Sequence, residues 1–460
     1  MSRRIPVTAS VSPAILGEKL KFSTSGRVAR NRFLKAALTE RVSTYVHGDP
    51  EKSGLPTPQL CNMYSKFSHG GFGMIFTGNI MVDKIHLEAA GNAIIDPSLN
   101  SPERREAFGN LAKAMKSDPE VLALAQLSNA GRQTPQFLCD EPISASDVQL
   151  MATRRGYGFG KPRPLKLEEI KPLVIDHFVF AAKFCKDAGF DGIEIHSAHG
   201  YLLAQFISET TNHRTDKYGG SLENRVRLNL EIFEAIRKEI PAETGFIIGI
   251  KMNSVEFQEK GLKCNEALVM CKEYERVGFD FIELSGGTIE KLAFSHLSDS
   301  TMAREAFFLE FAKEIRPQLT KTLVYLTGGF RTVPGMVKAI QDGVCDGVGI
   351  GRPITAEIDF PAKILSGKIQ SALINPFDQD FAISNIASNT QMWQAQQTPY
   401  NSNVDINAGI MDMSNEKVEE HFRSAVQKYA EELVALAKTG KPLYGVFNYT
   451  PEQLCEKVAA

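Results

Sequence analysis

Three proton-carrying side chains close one apolar run of the chain. The run Gly-Phe-Asp-Gly-Ile-Glu-Ile, ending at Ile195, leads directly into His196-Ser-Ala-His199-Gly-Tyr201. On a β-strand, Glu194 and His196 are two apart and point to the same side, and a turn at the strand end brings His199 beside His196. Two imidazole N–H donors aimed at one point make a site for an anion or a carbonyl oxygen. Polarising the carbonyl of an α,β-unsaturated ketone or aldehyde makes its β-carbon a hydride acceptor, and Tyr201 is then placed to protonate the α-carbon. Such a reaction needs a hydride source.

The elements that carry these residues repeat. A helix ending in Gly, then an aromatic or small residue, Asp and a short apolar strand, occurs as Asp187-Ala-Gly-Phe-Asp-Gly-Ile-Glu-Ile195 and as Arg276-Val-Gly-Phe-Asp-Phe-Ile-Glu-Leu284. A looser copy is Gln341-Asp-Gly-Val-Cys-Asp-Gly-Val-Gly-Ile350. Gly lets the chain leave a helix in the left-handed conformation, and a continuous apolar run suits a strand buried on both faces. Strands are expected at 32–39, 73–82, 121–128, 191–197, 246–253, 280–285, 323–328 and 346–351. Helical patterns lie between them at about 58–69, 102–117, 168–187, 221–240, 264–277, 304–316, 332–342 and 355–366. Eight alternating units predict an α/β chain folded as a (β/α)8 TIM barrel. An open doubly wound sheet would carry Gly-x-Gly-x-x-Gly after its first strand. The cluster Gly70-Gly-Phe-Gly73 precedes a strand instead and reads as a tight turn.

In such a barrel the chemistry sits at the C-terminal ends of the strands. Strand seven ends in Thr327-Gly328-Gly329 and strand eight in Gly349-Ile-Gly351-Arg352. Glycines let backbone N–H groups reach an oxyanion and an arginine adds a bidentate charge, so Gly328, Gly329, Gly351 and Arg352 are read as a phosphate cup. A ligand anchored there would lie over the barrel mouth, past Thr39, Gln126 and Lys251. An isoalloxazine ring suits that set. The amide serves its pyrimidine edge, and a fixed cation near N1 and the C2 carbonyl stabilises the charge of the reduced ring. With the other strand ends, the candidate cofactor cradle is Ala37, Leu38, Thr39, Asn79, Gln126, Lys251, Gly328, Gly329, Gly351 and Arg352.

The run from His196 through Tyr201-Leu-Leu-Ala-Gln-Phe-Ile-Ser208, continuing as Thr211-Asn-His-Arg-Thr-Asp-Lys-Tyr-Gly-Gly-Ser-Leu-Glu-Asn-Arg225, closely resembles the signature of the Old Yellow Enzyme family. Arg30-Asn-Arg-Phe33, Gln126-Leu-Ser-Asn-Ala-Gly-Arg132 and Gly349-Ile-Gly-Arg-Pro353 resemble its other landmarks in the same order, so the likeness covers roughly 28–366. It implies a (β/α)8 barrel, non-covalent FMN, and reduction of activated C=C bonds with NADH or NADPH. It further implies that His196 and His199 hold the substrate oxygen and that Tyr201 donates the proton. Thr39 would sit by the flavin N5/O4 edge, Gln126 at the pyrimidine, and Gly329, Gly351 and Arg352 at the phosphate. Three positions depart from the family pattern. Lys251 stands where arginine is usual and loses bidentate geometry. Ala37 replaces a proline, and Asn129 stands where many members carry histidine.

Two segments lie outside the eight units. Residues 129–167 form a long connection after strand three, the length of a lid or binding loop. The tail after about 371 opens on an Asn/Gln-rich stretch read as irregular. It closes on a helix over roughly 414–439, with Ser414 as N-cap and an apolar stripe of Val418, Phe422, Val426, Tyr429 and Leu433. The expected division is therefore a barrel with an N-terminal extension over 1–370 and a tail over 371–460, the stripe packing on the barrel or on a partner subunit.

A formal net charge of −2 argues against an electrostatic grip on nucleic acid or an anionic membrane. Seven scattered cysteines with no Cys-x-x-Cys pair fit reduced thiols and a cytoplasmic protein. Only Cys455 follows the barrel, so no iron–sulfur cluster is expected. A metal-dependent hydrolase would need further ligands at other strand ends, so no metal is expected. The expected partner is a small enone-type molecule. Two alternatives stay open: a flavin oxidase or desaturase on the same scaffold, and a Schiff-base lyase using Lys251.

Overall fold

The computed structural model describes residues 2–153, 156–253, 261–285, 309, 312–441 and 443–450. Its barrel strands are β1 (Phe33–Lys35), β2 (Met74–Met81), β3 (Leu122–Ser128), β4 (Gly192–Ser197), β5 (Ile247–Asn253), β6 (Phe281–Ser285), β7 (Leu323–Thr327) and β8 (Gly347–Ile350). They pair in parallel in chain order, and β8 returns to β1 through Val348 opposite Phe33. All eight fall where the sequence places them. The first is shorter than expected: its ladder ends at Lys35, so Ala37, Leu38 and Thr39 lie in the loop beyond it.

The helices begin where a side chain can satisfy the unpaired first-turn N–H groups. Thr57 accepts from Leu60, Ser101 from Arg104, Ser221 from Asn224 and Thr332 from Gly335. Gly189 and Gly278 end their helices at φ 97° and 101°, the left-handed exit the repeated motif requires. One helical expectation changes. The 355–366 helix is broken into Pro353–Ala356 and Phe360–Leu365, because Pro361 has no N–H to continue the first one. The helix expected at 304–316 lies mostly outside the described residues, of which 312–315 are helical.

The barrel interior is layered. A two-residue ladder, Leu20–Lys21 against Val28–Ala29, brings Leu20 and Phe22 onto Phe76, Leu124, Phe281 and Tyr325 and plugs the N-terminal end. Space there is tight: a Cβ on Gly249 would lie 1.9 Å from the Phe281 ring, so only glycine fits. Further along the same strands, toward the C-terminal ends, come Gln126, Glu194, Lys251 and Glu283, all buried. That polar layer is the floor of the candidate site.

The tail is more ordered than its composition suggests. Phe381–Ala395 is a helix capped by Asp380, in the stretch the sequence reads as irregular. Its polar residues hid the helix: Ser384, Ser388, Asn389, Thr390, Gln391 and Gln394 are buried rather than solvated. It packs beside Pro353–Ala356 and Pro58–Ser68. The C-terminal helix runs Glu416–Lys438 with Asn415 as its N-cap; Ser414 instead accepts from the Arg3 backbone N–H at 2.8 Å. The stripe residues Val418, Phe422, Val426 and Tyr429 pack on the tail's own Phe377, Ile386, Met411 and Met413. Among the described residues these four pack within the tail, and Leu433 is buried outside that cluster. No helix among the described residues is long and apolar enough to cross a membrane.

Phe422 is fully buried and Val434 on the same helix is 47% exposed. Phe422→Ala is expected to cost about 3–5 kcal/mol and Val434→Ala less than about 0.5 kcal/mol, read by urea denaturation. Equal losses would mean the helix does not pack as described.

Candidate active site

β4 delivers His196 and the turn after it delivers His199 and Tyr201. The imidazole centroids of His196 and His199 are 5.2 Å apart with planes at 77°, and the Tyr201 ring lies 4.9 Å from His196 at 87°. His199 reaches this place with φ 59°, a left-handed backbone that costs a non-glycine residue about 1–2 kcal/mol. Neighbouring strands and loops hold it there. Its N–H donates to Asn253 Oδ1 at 3.2 Å and its carbonyl accepts from Gln133 Nε2 at 2.7 Å.

Both rings are neutral at physiological pH. Burial, then the nearby His199 and Lys251, push His196 well below the usual histidine range. Burial and then Lys251 bring His199 down to about 3. The His196 Nδ1 accepts from the Ala198 N–H at 3.3 Å, which leaves Nε2 as the protonated nitrogen. His199 Nε2 lies 3.0 Å from Ser285 Oγ. When the serine donates to it, Nδ1 carries the hydrogen of His199. Two neutral donors on perpendicular rings suit an uncharged carbonyl whose oxygen gains charge during reaction.

Below the histidines lies a buried polar row set by strand register. Gln126 is opposite Glu194, and its Nε2 donates to Glu194 Oε2 at 2.6 Å. Lys251 is opposite Glu283, and its Nζ lies 2.8 Å from Glu283 Oε1. Burial first, then the Glu283 charge, raise the Glu194 carboxyl well above the carboxylate range, so it keeps its proton. Burial opposes ionisation of Glu283 too, but Lys251 and the Glu194 proton outweigh it and lower its pKa. Among the described residues Glu194 Oε1 and Glu283 Oε2 have no conventional hydrogen-bond partner, and a proton on Glu194 together with the Thr327 hydroxyl supplies what they lack.

At the far side, Gly328 and Gly329 adopt φ 137° and 83°, conformations that glycine alone takes easily. Among the described residues a Cβ on Gly351 would meet Leu38 Cδ2 alone, at an ordinary contact distance of 3.6 Å. Arg352 Nη1 donates to Ser384 Oγ at 2.7 Å. Arg331 and Arg352 both approach the Asp378 carboxylate, at 3.3 and 3.7 Å. Asn79 pairs in register with Gln126, and its Oδ1 is buried without a partner among the described residues. Lys251 uses one of its three N–H groups on Glu283. An unspent acceptor, a partly spent ammonium and a glycine corner beside an arginine are the donor and acceptor set FMN would use.

Among the described residues, Asp83, Asp96 and His177 come within 4.8 Å of one another, away from His196. There His177 Nδ1 is taken by the Val82 carbonyl, and Asp96 caps a short turn.

The profile of the NADH:flavin oxidoreductase / NADH oxidase family matches residues 26–370. The chain belongs to that family. Within it, the NADH-dependent flavin oxidoreductase nadA of Aspergillus parasiticus is 45% identical over 84% of this chain and 86% of its own length. Two solved folds are similar at 22% identity. The old yellow enzyme homologue of Zymomonas mobilis covers 86% of this chain and 99% of its own, with TM-score 0.64. A 2-naphthoyl-CoA reductase complex covers 90% and 58%, with TM-score 0.69. As a member of the NADH:flavin oxidoreductase family the protein is an oxidoreductase, FMN is its cofactor and a reduced nicotinamide its reductant. The barrel and the family expected from the sequence are both observed.

Sequence reading missed several residues that shape this family member's site. Glu283 was legible in principle, because it occupies the same place as Glu194 in the repeated Gly-Phe-Asp motif, a charge inside a buried strand. Ser285 and Asn253 reach His199 only through neighbouring strands, and Ser384 and Asn389 come from the unexpected tail helix.

The two glutamates should respond oppositely to removal of charge. Glu194→Gln copies the protonated acid and is expected to change stability by less than about 1.5 kcal/mol. Glu283→Gln strips Lys251 of its counter-charge and is expected to cost about 3–5 kcal/mol. Denaturant midpoints of both variants at pH 7 test this, and the reverse order would move the proton to Glu283.

Proposed function

We propose that the protein reduces the activated C=C bond of α,β-unsaturated carbonyl compounds, with NADH as the reductant. The observation that carries the reading is the perpendicular pair of neutral imidazoles at His196 and His199, with the Tyr201 ring on His196. The similar fungal NADH-dependent flavin oxidoreductases favour NADH over NADPH.

Bound FMN supplies the hydride. The chain's own residues supply the rest. His196 Nε2–H and His199 Nδ1–H hold the substrate oxygen and take up the negative charge that develops there. Ser285 keeps His199 in the donating tautomer. Tyr201 gives its phenolic proton to the α-carbon, the step that completes saturation. Thr39, Asn79, Gln126 and Lys251 would hold the ring, and Gly328, Gly329, Gly351 and Arg352 the phosphate. Lys251 is engaged in its ion pair with Glu283, whereas Schiff-base attack needs a free amine, so the lyase alternative loses its nucleophile.

Anaerobic NADH should bleach the flavin absorption of the purified protein, and cyclohexenone should restore it. A bleach that only oxygen reverses would move the reaction to an oxidase. Replacing both histidines by alanine is expected to slow reoxidation by enone at least about 10²-fold while flavin stays bound. Tyr201→Phe should leave flavin reduction by NADH intact and slow the enone half-reaction about 10²–10⁴-fold. Equal loss in both half-reactions would remove Tyr201 as the proton donor.

A further inference from the structure

The tail helix Phe381–Ala395 buries polar side chains, each costing about 1–3 kcal/mol unless hydrogen-bonded. Their partners fall into two groups. Thr390 Oγ1 donates to the Phe447 carbonyl, and Gln394 Nε2 donates to the Tyr449 carbonyl, which ties the tail to itself. Ser384, Asn389 and Gln391 also reach the barrel, although Ser384 accepts from Asn375 and Gln391 donates to the Met411 carbonyl within the tail. Asn389 Nδ2 donates to the Thr39 carbonyl at 2.8 Å. Ser384 Oγ accepts from Arg352 at 2.7 Å, and Gln391 Oε1 accepts from Thr355 Oγ1 at 2.7 Å. These barrel residues belong to the loops after β1 and β8, at the expected ring and phosphate ends of the cofactor.

We infer that this tail helix is an outer wall of the FMN site, in which Asn389 positions the Thr39 loop at the ring end and Ser384 positions Arg352 at the phosphate end. The inference rests on the assignment of Thr39 and Arg352 to the cofactor cradle. Ser384 and Asn389 are five residues apart, about 7.5 Å along a helix axis and on different faces of it, so each reaches its own loop. One rigid element therefore sets the separation of the two ends of the cradle. Thr39 sits in a loop beyond the β1 ladder and Arg352 just after β8, so neither is fixed by strand pairing alone. Asn389 and Ser384 act through these residues and are positioning residues.

Two flavins separate the ends, because riboflavin lacks the phosphate. Dissociation constants for FMN and riboflavin would be measured by fluorescence quenching on protein stripped of its flavin. Asn389→Ala should weaken both ligands roughly 3–10-fold, the value of one hydrogen bond. Ser384→Ala should weaken FMN by a similar factor and leave riboflavin unchanged. Thr390→Ala, which removes a tail hydrogen bond remote from the cradle, should leave both constants as in the wild type. Asn389→Asp keeps the shape but removes the N–H donor, and should match Asn389→Ala if the alanine variant folds poorly. Wild-type constants in the Ser384 and Asn389 variants, or equal weakening by Thr390→Ala, would reduce the helix to a structural prop. A wild-type protein that binds riboflavin as tightly as FMN would instead overturn the phosphate cup itself.

Discussion

A lysine and a glutamate buried side by side in the barrel make everything above them costly to rearrange. Lys251 and Glu283 are 4% and 0% exposed, and their mutual attraction has to offset the removal of two charges from water. A second carboxylate beside them would tip that balance, and Glu194 avoids it by remaining protonated. The row from Gln126 through Glu194 and Glu283 to Lys251 is thus a chain of donors and acceptors with a fixed hydrogen count. Its geometry follows from strand register, and register cannot slip by one residue without turning every one of these groups out of the barrel. The net result is a positive group held under the mouth of the site without a flexible counter-ion.

The histidines stand on that floor and are fixed from the sides. His199 adopts a left-handed backbone because β5, β6 and the loop after β3 each contribute a hydrogen bond to it, through Asn253, Ser285 and Gln133. Local strain at a functional residue persists only where the surroundings over-determine it. The same burial that makes the rings neutral removes competing water from their N–H groups, so that desolvation and donor strength arise from one arrangement. The loop after β3, long enough to be read as a lid, is thereby also part of the support for His199.

Much of this was written in local patterns. Eight apolar runs with Gly-terminated helices between them specify a parallel barrel, and the strand ends then follow by counting. The meeting of His196, His199 and Tyr201 was legible because they interrupt an apolar run at the end of a barrel strand. The tail helix was not legible, since Ser, Asn, Thr and Gln are expected on a solvated surface, and their burial depends on partners in distant segments. The cap at Asn415 rather than Ser414 has the same cause: Ser414 is claimed by Arg3, more than four hundred positions away. Contacts of that range leave no periodicity for a sequence to display. Glu283 lies between these cases, visible as a charge in a buried strand yet meaningful only once β5 is known to be its neighbour.

The hydrogen bond between Asn389 and the Thr39 carbonyl joins positions 350 residues apart. At a synthesis rate of roughly 5–20 residues per second, Asn389 emerges about 20–70 s after Thr39. The first barrel strand must therefore wait for β8 to close against it and then for the tail to cover the loop beyond it. Closing so long a loop is entropically modest but kinetically late. The contact between the tail and the loop after β1 is thus a product of late synthesis, and a shorter nascent chain lacks it.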